Sequence, residues 1–254
     1  MSRILAIAAN TFREAIRDRI LYLLLVFALL LMGFSQILSL LTVGGEEKII
    51  KDMGLASISL FGVLTSIFIG VALVSKEIER RTIYTIVSKP IHRYEFLLGK
   101  YCGLALTLLV NTSVMTAWFY LILLLKGVAD PRLLLAILLI FMELLLVTSF
   151  AILFSSFSTP ILSTLFSLSL YVVGHLSWSL KLLEERVRTT SGRLLCRILY
   201  YVLPNLEIFN IKGEAVHLMP IPATLPGWAL LYLVGYGGAI LALACLILQR
   251  RDFT

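Results

Sequence analysis

Six apolar runs decide what this chain can fold into. They cover about residues 20–42, 54–74, 95–125, 132–155, 160–180 and 227–248. A helix crosses a bilayer with about 20 apolar residues at 1.5 Å rise each, and each run reaches that length. Breakers separate them: Gly44-Gly45, Gly127 with Asp130-Pro131, Pro160, and Pro226-Gly227. Only 15% of the 254 residues are charged and 59% are hydrophobic, against about 25% charged in a soluble domain. No single core could hide so much apolar side chain. In lipid the backbone must satisfy its own polar groups, which selects helices. The reading is one all-α integral membrane domain over 1–254, with six transmembrane helices and no internal repeat.

Charge then sets orientation. The formal net charge of +7 reads as positive-inside anchoring and not as a nucleic-acid surface. One side collects Arg3, Arg13, Arg17 and Arg19, then Lys76, Arg80, Arg81, Lys89, Arg93 and Lys100, and finally Arg250-Arg251. The opposite short loops hold Lys48, Lys51, Lys126 and Arg132. Twelve against four predicts cytoplasmic termini in a cell inner membrane. Residues 181–226 then form an extracytoplasmic segment between spans five and six. Within it "RLLCRILYYVLP" is too short to span, and reads as an interfacial or re-entrant helix ended by Pro204. Cys102, Cys196 and Cys245 form no CxxC pair, which argues against a disulfide framework or a zinc site.

Two charged segments have helical logic. In "MSRILAIAANTFREAIRDR" the apolar residues Ile4, Ala8, Phe12, Ile16 and Ile20 share one face. Arg3, Asn10, Arg13, Glu14 and Arg17 share the other, as in a helix lying in the bilayer interface. Its charges also exclude a cleavable signal peptide. From Lys76 to Val87, Ile78, Thr82, Ile83, Ile86 and Val87 form a face, and Glu77 pairs with Arg81 at i,i+4. Pro90 stops that helix. Arg93 and Lys100 are expected to snorkel to the interface beyond it.

"NTFREAIRDRILYL", "SKEIERRTIYTIVSKPIHRYEFLLGKY", "LPNLEIFNIKGEAV" and the closing "RRDF" resemble, in order along the chain, the permeases of ABC-2 type transporters. The nearest branch contains the permease of the nitrous-oxide-reductase maturation transporter. His92 departs from the pattern, where a small polar residue is common. The resemblance implies an N-terminal elbow helix over 1–19, with Phe12, Arg13, Glu14 and Arg17. It implies a cytoplasmic coupling helix over 76–89, in which Lys76, Glu77, Glu79, Arg80, Arg81, Thr82, Ile83 and Tyr84 meet a groove of a separate ABC ATPase subunit. Re-entrant helices before the last span match residues 181–226. ATP and Mg belong to the partner, so no cofactor is expected in this chain. Two ATPase copies imply two permeases, most simply a homodimer.

Catalytic motifs are missing. Gly99-Lys100 has Tyr94 where a phosphate-binding loop needs its first glycine. There is no HExxH, and Glu184-Glu185 and Glu46-Glu47 are followed by Thr189 and Lys51 where an EExxxR protease helix needs arginine. His217 and Met219 are two soft ligands, too few for a copper site. The chain reads as a permease without enzymatic activity. Inside the spans, Glu143 is the acid at mid-bilayer and a candidate for the translocation path. Asn111 is a second, and Asn111-Thr112-Ser113 are expected to tie helices together. Few polar positions favour a hydrophobic or lipid-like cargo. Two other classes fit the apolar runs: a secondary transporter or channel without an ATPase, and a scaffold passing ATP-driven motion to a periplasmic partner.

Overall fold

The computed structural model describes residues 3–40, 45–79, 92–177 and 190–250, and every regular element among them is helical. Helix α1 (Arg3–Ile16) precedes five helices long and apolar enough to cross a membrane: α2 (Arg19–Leu40), α3 (Glu46–Glu79), α4 (Arg93–Lys126), α5 (Arg132–Phe157) and a final helix over 225–250. The apolar α6 (Pro160–His175) is shorter. Amphipathic α7 (Thr190–Val202) follows, then a 3₁₀ turn (Leu206–Phe209) and α8 (Lys212–Val216). The final helix comprises α9 (Leu225–Tyr232), a π turn (Leu233–Gly237) and α10 (Gly238–Arg250).

Local chemistry sets these ends. Asp18 Oδ1 accepts from the Ile20 amide at 2.9 Å, and Asp130 Oδ1 from the Arg132 amide at 2.9 Å, at the starts of α2 and α5. His92 caps α4: its amide donates to Glu95 Oε2 at 3.1 Å, half of a capping box. Gly127 ends α4 in the left-handed region at φ 69°. Pro160 opens α6 where its missing N–H costs nothing. The α7 helix stops at Val202, ahead of Pro204 as predicted.

The core lies where α3, α4 and α5 meet, around residues such as Ile58, Ile67, Leu108, Met115, Leu144 and Leu146. Helix α2 and the final helix pack outside it and expose much of their apolar surface. In a membrane that surface faces lipid or another chain.

Three contacts collect distant segments at one end of the molecule. Lys76 Nζ, near the end of α3, donates to Glu14 Oε1 of α1 at 3.0 Å. Arg3 of α1 lies 3.7 Å from Glu95 of α4. Arg93 Nη1 donates to the carbonyls of Leu248 and Gln249 at 2.5 and 2.8 Å, satisfying the C-terminal turn of α10. At the other end, Arg132 Nη1 reaches the Leu218 carbonyl at 3.3 Å.

Several expectations change here. Lys76 to Glu79 continue α3 without a break past the end of its span at Lys76, so the start of the expected coupling helix extends a spanning helix; the rest of that stretch, from Arg80, lies outside the described residues. Helix α1 does not simply rest on lipid. Its buried face is Ala8, Thr11 and Ala15, packed on α4. The cause is Gly99 and Gly103, one turn apart. A Cβ on Gly103 would sit 2.7 Å from the Ala8 carbonyl oxygen, and one on Gly99 would sit 2.7 Å from Ile7 Cβ. Only glycine lets the two backbones approach so closely. Arg93 caps a helix instead of snorkelling, and Lys100 turns inward, fully buried, with its ammonium 5.9 Å from the Phe96 ring.

Candidate functional site

Near the midpoint of α5 sits Glu143, 0% exposed. It is eleven residues into the helix, or about 17 Å at 1.5 Å per residue. A carboxylate at that depth costs several kcal/mol unless it is paired or meets water. Its partner is His175, the last residue of α6: Nε2 lies 2.7 Å from Glu143 Oε1. The other ring nitrogen, Nδ1, lies 3.2 Å from Glu207 Oε2 on the 3₁₀ turn. The imidazole is therefore held between two carboxyl groups from elements far apart in sequence.

The surroundings fix each member. Tyr171, one turn before His175, meets its ring edge-on at 4.8 Å between centroids. Asn210 Nδ2 donates to Glu207 Oε1 at 3.0 Å, and the Glu207 amide donates to Asn205 Oδ1 at 3.2 Å. The Asn205 amide donates to the Tyr232 hydroxyl at 2.9 Å, just ahead of the π turn in the final helix. Lys212 Nζ reaches Ser59 Oγ of α3 at 2.9 Å. Gly174 lets the chain press in: a Cβ there would stand 2.7 Å from Leu206 Cδ1 and 3.2 Å from the Pro204 carbonyl oxygen. Residues 203–216 thus clip α3, α5, α6 and the final helix together at mid-span.

Both ring nitrogens face carboxyl oxygens. An imidazolium between two carboxylates satisfies this arrangement, and so does a neutral imidazole with one protonated carboxyl. Either way two protons, one in each contact, join the imidazole and both carboxyl groups into a unit. Glu143 Oε2 is buried with no hydrogen-bond partner among the described residues, so the unit keeps one unspent acceptor. The two carboxyl groups approach opposite nitrogens and cannot converge on one cation, and the described residues hold no other metal-binding group.

The other predicted residues fall elsewhere. Asn111 is 3% exposed in α4, and neither of its side-chain polar atoms has a hydrogen-bond partner among the described residues. The Thr112 hydroxyl is equally unpartnered, and Ser113 bonds back to the Leu109 carbonyl of its own helix at 2.7 Å. Among the described residues these three do not tie helices by hydrogen bonds; Tyr101, which donates to the Leu145 carbonyl at 3.3 Å, and Trp118, which donates to the Leu29 carbonyl at 3.2 Å, join α4 to α5 and α2 instead. On α1, Phe12 is half-buried and Arg13 and Arg17 are exposed, while Glu14 meets Lys76. Glu77 and Glu79 lie in the last turn of α3. Arg80, Arg81, Thr82, Ile83 and Tyr84 lie outside the described residues.

Sequence reading singled out Glu143 as the acid at mid-bilayer but did not pair it with His175 or with Glu207. Glu207, Asn210 and Lys212 are three polar residues in an otherwise apolar segment, "LEIFNIK". That pattern was the available signal.

The family model for ABC-2 family transporter proteins matches residues 5–253. The chain belongs to this family. No curated protein matches it. As an ABC-2 family member it is a multi-pass membrane permease, a transport component and not the catalytic subunit. Family membership also implies an ABC ATPase partner.

Proposed function

We propose that this ABC-2 family permease is the membrane half of an exporter, driven by a separate ABC ATPase that docks on the first cytoplasmic loop. Residues 76–89, including Lys76, Glu77, Glu79, Arg80, Arg81, Thr82, Ile83 and Tyr84, form the docking segment. Two permeases close as a homodimer over two ATPases, since ABC ATPases act as pairs and two-fold symmetry is then the simplest closure. Cargo is hydrophobic or lipid-like, or the motion is passed to a periplasmic partner. The nearest branch, on the resemblance of the loop block, is that of the nitrous-oxide-reductase maturation permease.

The observation that carries this reading is the convergence of α1, the end of α3, the start of α4 and the end of α10 at one face. Both termini of the described chain meet the ends of the two helices that flank the first loop, as a docking face requires. The same convergence supports six crossings: α5 and α10 both run toward that end, so the chain between them must return once. Within 158–224, α6 is the apolar helix available. Positive charge gathered there supports a cytoplasmic face at the inner membrane.

Motion then has a route. A pull on the first loop moves the end of α3, and α1 follows through Lys76–Glu14 and the seam on α4. Ser59, on the same α3, holds Lys212. Movement of α3 therefore strains the clip that joins Glu143, His175 and Glu207, which gates the path in which Glu143 and Asn111 stand.

Co-expression with a candidate ABC ATPase tests the reading. Native mass spectrometry should give two permeases with two ATPases, and reversing Arg80 and Arg81 to Glu should weaken the complex, most at low salt. A stable one-to-one complex that hydrolyses ATP rejects the homodimer. The ionisable trio at mid-span favours a second reading, a proton-coupled transporter without an ATPase. Transport that persists without ATP and follows a proton gradient would select it.

A further inference from the structure

A pocket of about 720 Å³ opens between α1, the start of α2 and the end of α3. Its cations are Arg13, Arg17, Arg19 and Lys76, and its carboxylates are Glu14 and Asp18. Both carboxylates are engaged: Glu14 by Lys76, and Asp18 by the Ile20 amide. Arg13, Arg17 and Arg19 are exposed, and their side chains make no ion pair or hydrogen bond among the described residues. Three guanidinium groups therefore line one concavity with no carboxylate paired to any of them among the described residues.

Depth identifies the ligand. Arg19 begins one spanning segment and Lys76 ends another, so the cations stand where lipid headgroups lie. Below them the pocket floor is apolar, formed by Ala72 and Leu73 of α3. Beyond Arg19, α2 exposes Leu23, Val26 and Phe27, a strip continuing toward the bilayer centre. A free phosphate has no use for that floor or strip. A protein partner would have to reach below headgroup level to cover them. An anionic headgroup on acyl chains matches all three features.

We propose that this pocket binds an anionic phospholipid, with Arg13 and Arg17 on the phosphate from α1, Arg19 from α2, and the acyl chains along the exposed face of α2. The bound lipid would fasten α1 to the membrane at the point where α1 meets α3.

Native mass spectrometry of the full-length chain, released from micelles holding equal phosphatidylglycerol and phosphatidylcholine, tests the assignment. Wild type should retain phosphatidylglycerol in preference by on the order of tenfold, since each basic residue near an anionic headgroup contributes appreciably. R13Q/R17Q should bring the preference close to unity, and R13K/R17K should keep most of it. K48Q/K126Q removes two exposed cations away from the pocket and should leave the preference intact. Excess inorganic phosphate should not displace the lipid. No preference in wild type, or a preference that survives R13Q/R17Q, overturns the proposal and leaves the arginines to a protein partner. Equal loss in K48Q/K126Q reduces the effect to overall charge. Displacement by inorganic phosphate assigns the site to a free anion.

Discussion

The seam between α1 and α4 and the trio Glu143–His175–Glu207 hold the molecule together by opposite means. The seam is made of absence: Gly99 and Gly103 supply no side chain, and helix backbones meet. The trio is made of charge, carried into the buried interior by α5, α6 and the 3₁₀ turn. A seam of small residues has no alternative state to switch into. A hydrogen-bonded trio does, because breaking the His175–Glu143 contact leaves a buried carboxyl unsatisfied. The first region is suited to transmit force as a rigid body, and the second to hold and release.

The largest effect should come from breaking the trio. His175→Ala strands Glu143, which is 0% exposed and already has one oxygen unpartnered. Removing one partner of a buried pair costs about 3–5 kcal/mol, because the other charge stays buried. His175→Ala should therefore lower thermal stability in detergent markedly. Adding Glu143→Leu should recover much of the loss, since no orphaned carboxyl remains. An unchanged melting temperature in His175→Ala would show that the trio holds nothing.

The seam should respond less. Gly103→Val drives a side chain against the Ala8 carbonyl and Thr11, and overpacking of this kind costs about 1–3 kcal/mol. Gly33→Ala is the matched control, because nothing lies within 4 Å of a Cβ there. Limited proteolysis should cut α1 faster in the valine variant and not in the alanine one. Equal protection in both would mean that α1 is held by lipid alone.

The two regions also differ in how far the sequence discloses them. Helix α1 announces itself by period, since Ile4, Ala8, Phe12 and Ile16 recur at every fourth residue. Its partner does not: Gly99 and Gly103 lie beyond the first loop, and a glycine pair says only that something approaches. Hence the expectation that α1 faces lipid, and the finding that its buried side, Ala8, Thr11 and Ala15, meets α4. For the trio, depth along an apolar run was enough to mark Glu143. Depth could not name His175, which ends another run, or Glu207, which stands in a segment with no helical period. Contacts between segments 32 residues apart are set by the fold of 203–216, and no local pattern encodes them. Lys100 misled for the same reason, because its environment depends on which helices close over α4.

The smallest effect belongs to the link between the two mechanical units, Lys76–Glu14. At 3.0 Å the geometry is good, but Lys76 is 47% exposed and Glu14 31%. Water and salt screen such a pair, and exposed pairs contribute about 0.2–1 kcal/mol. Lys76→Glu should thus shift the melting temperature hardly at all, and slightly more at low salt. Force transmission asks a different question of the same contact. A lever needs direction, and Lys76 stands where α3 leaves the membrane, so repulsion from Glu14 would part α1 from α3 even while the Gly99–Gly103 seam keeps α1 on α4. ATP hydrolysis by the complex with its ATPase should then respond less to cargo, although assembly is unchanged. The swap Lys76→Glu with Glu14→Lys restores the attraction with reversed polarity and should restore the response. If Lys76→Glu alone leaves both stability and ATP-coupled transport at wild-type levels, α1 moves with α4 only, and the route from the first loop runs through α3 without it.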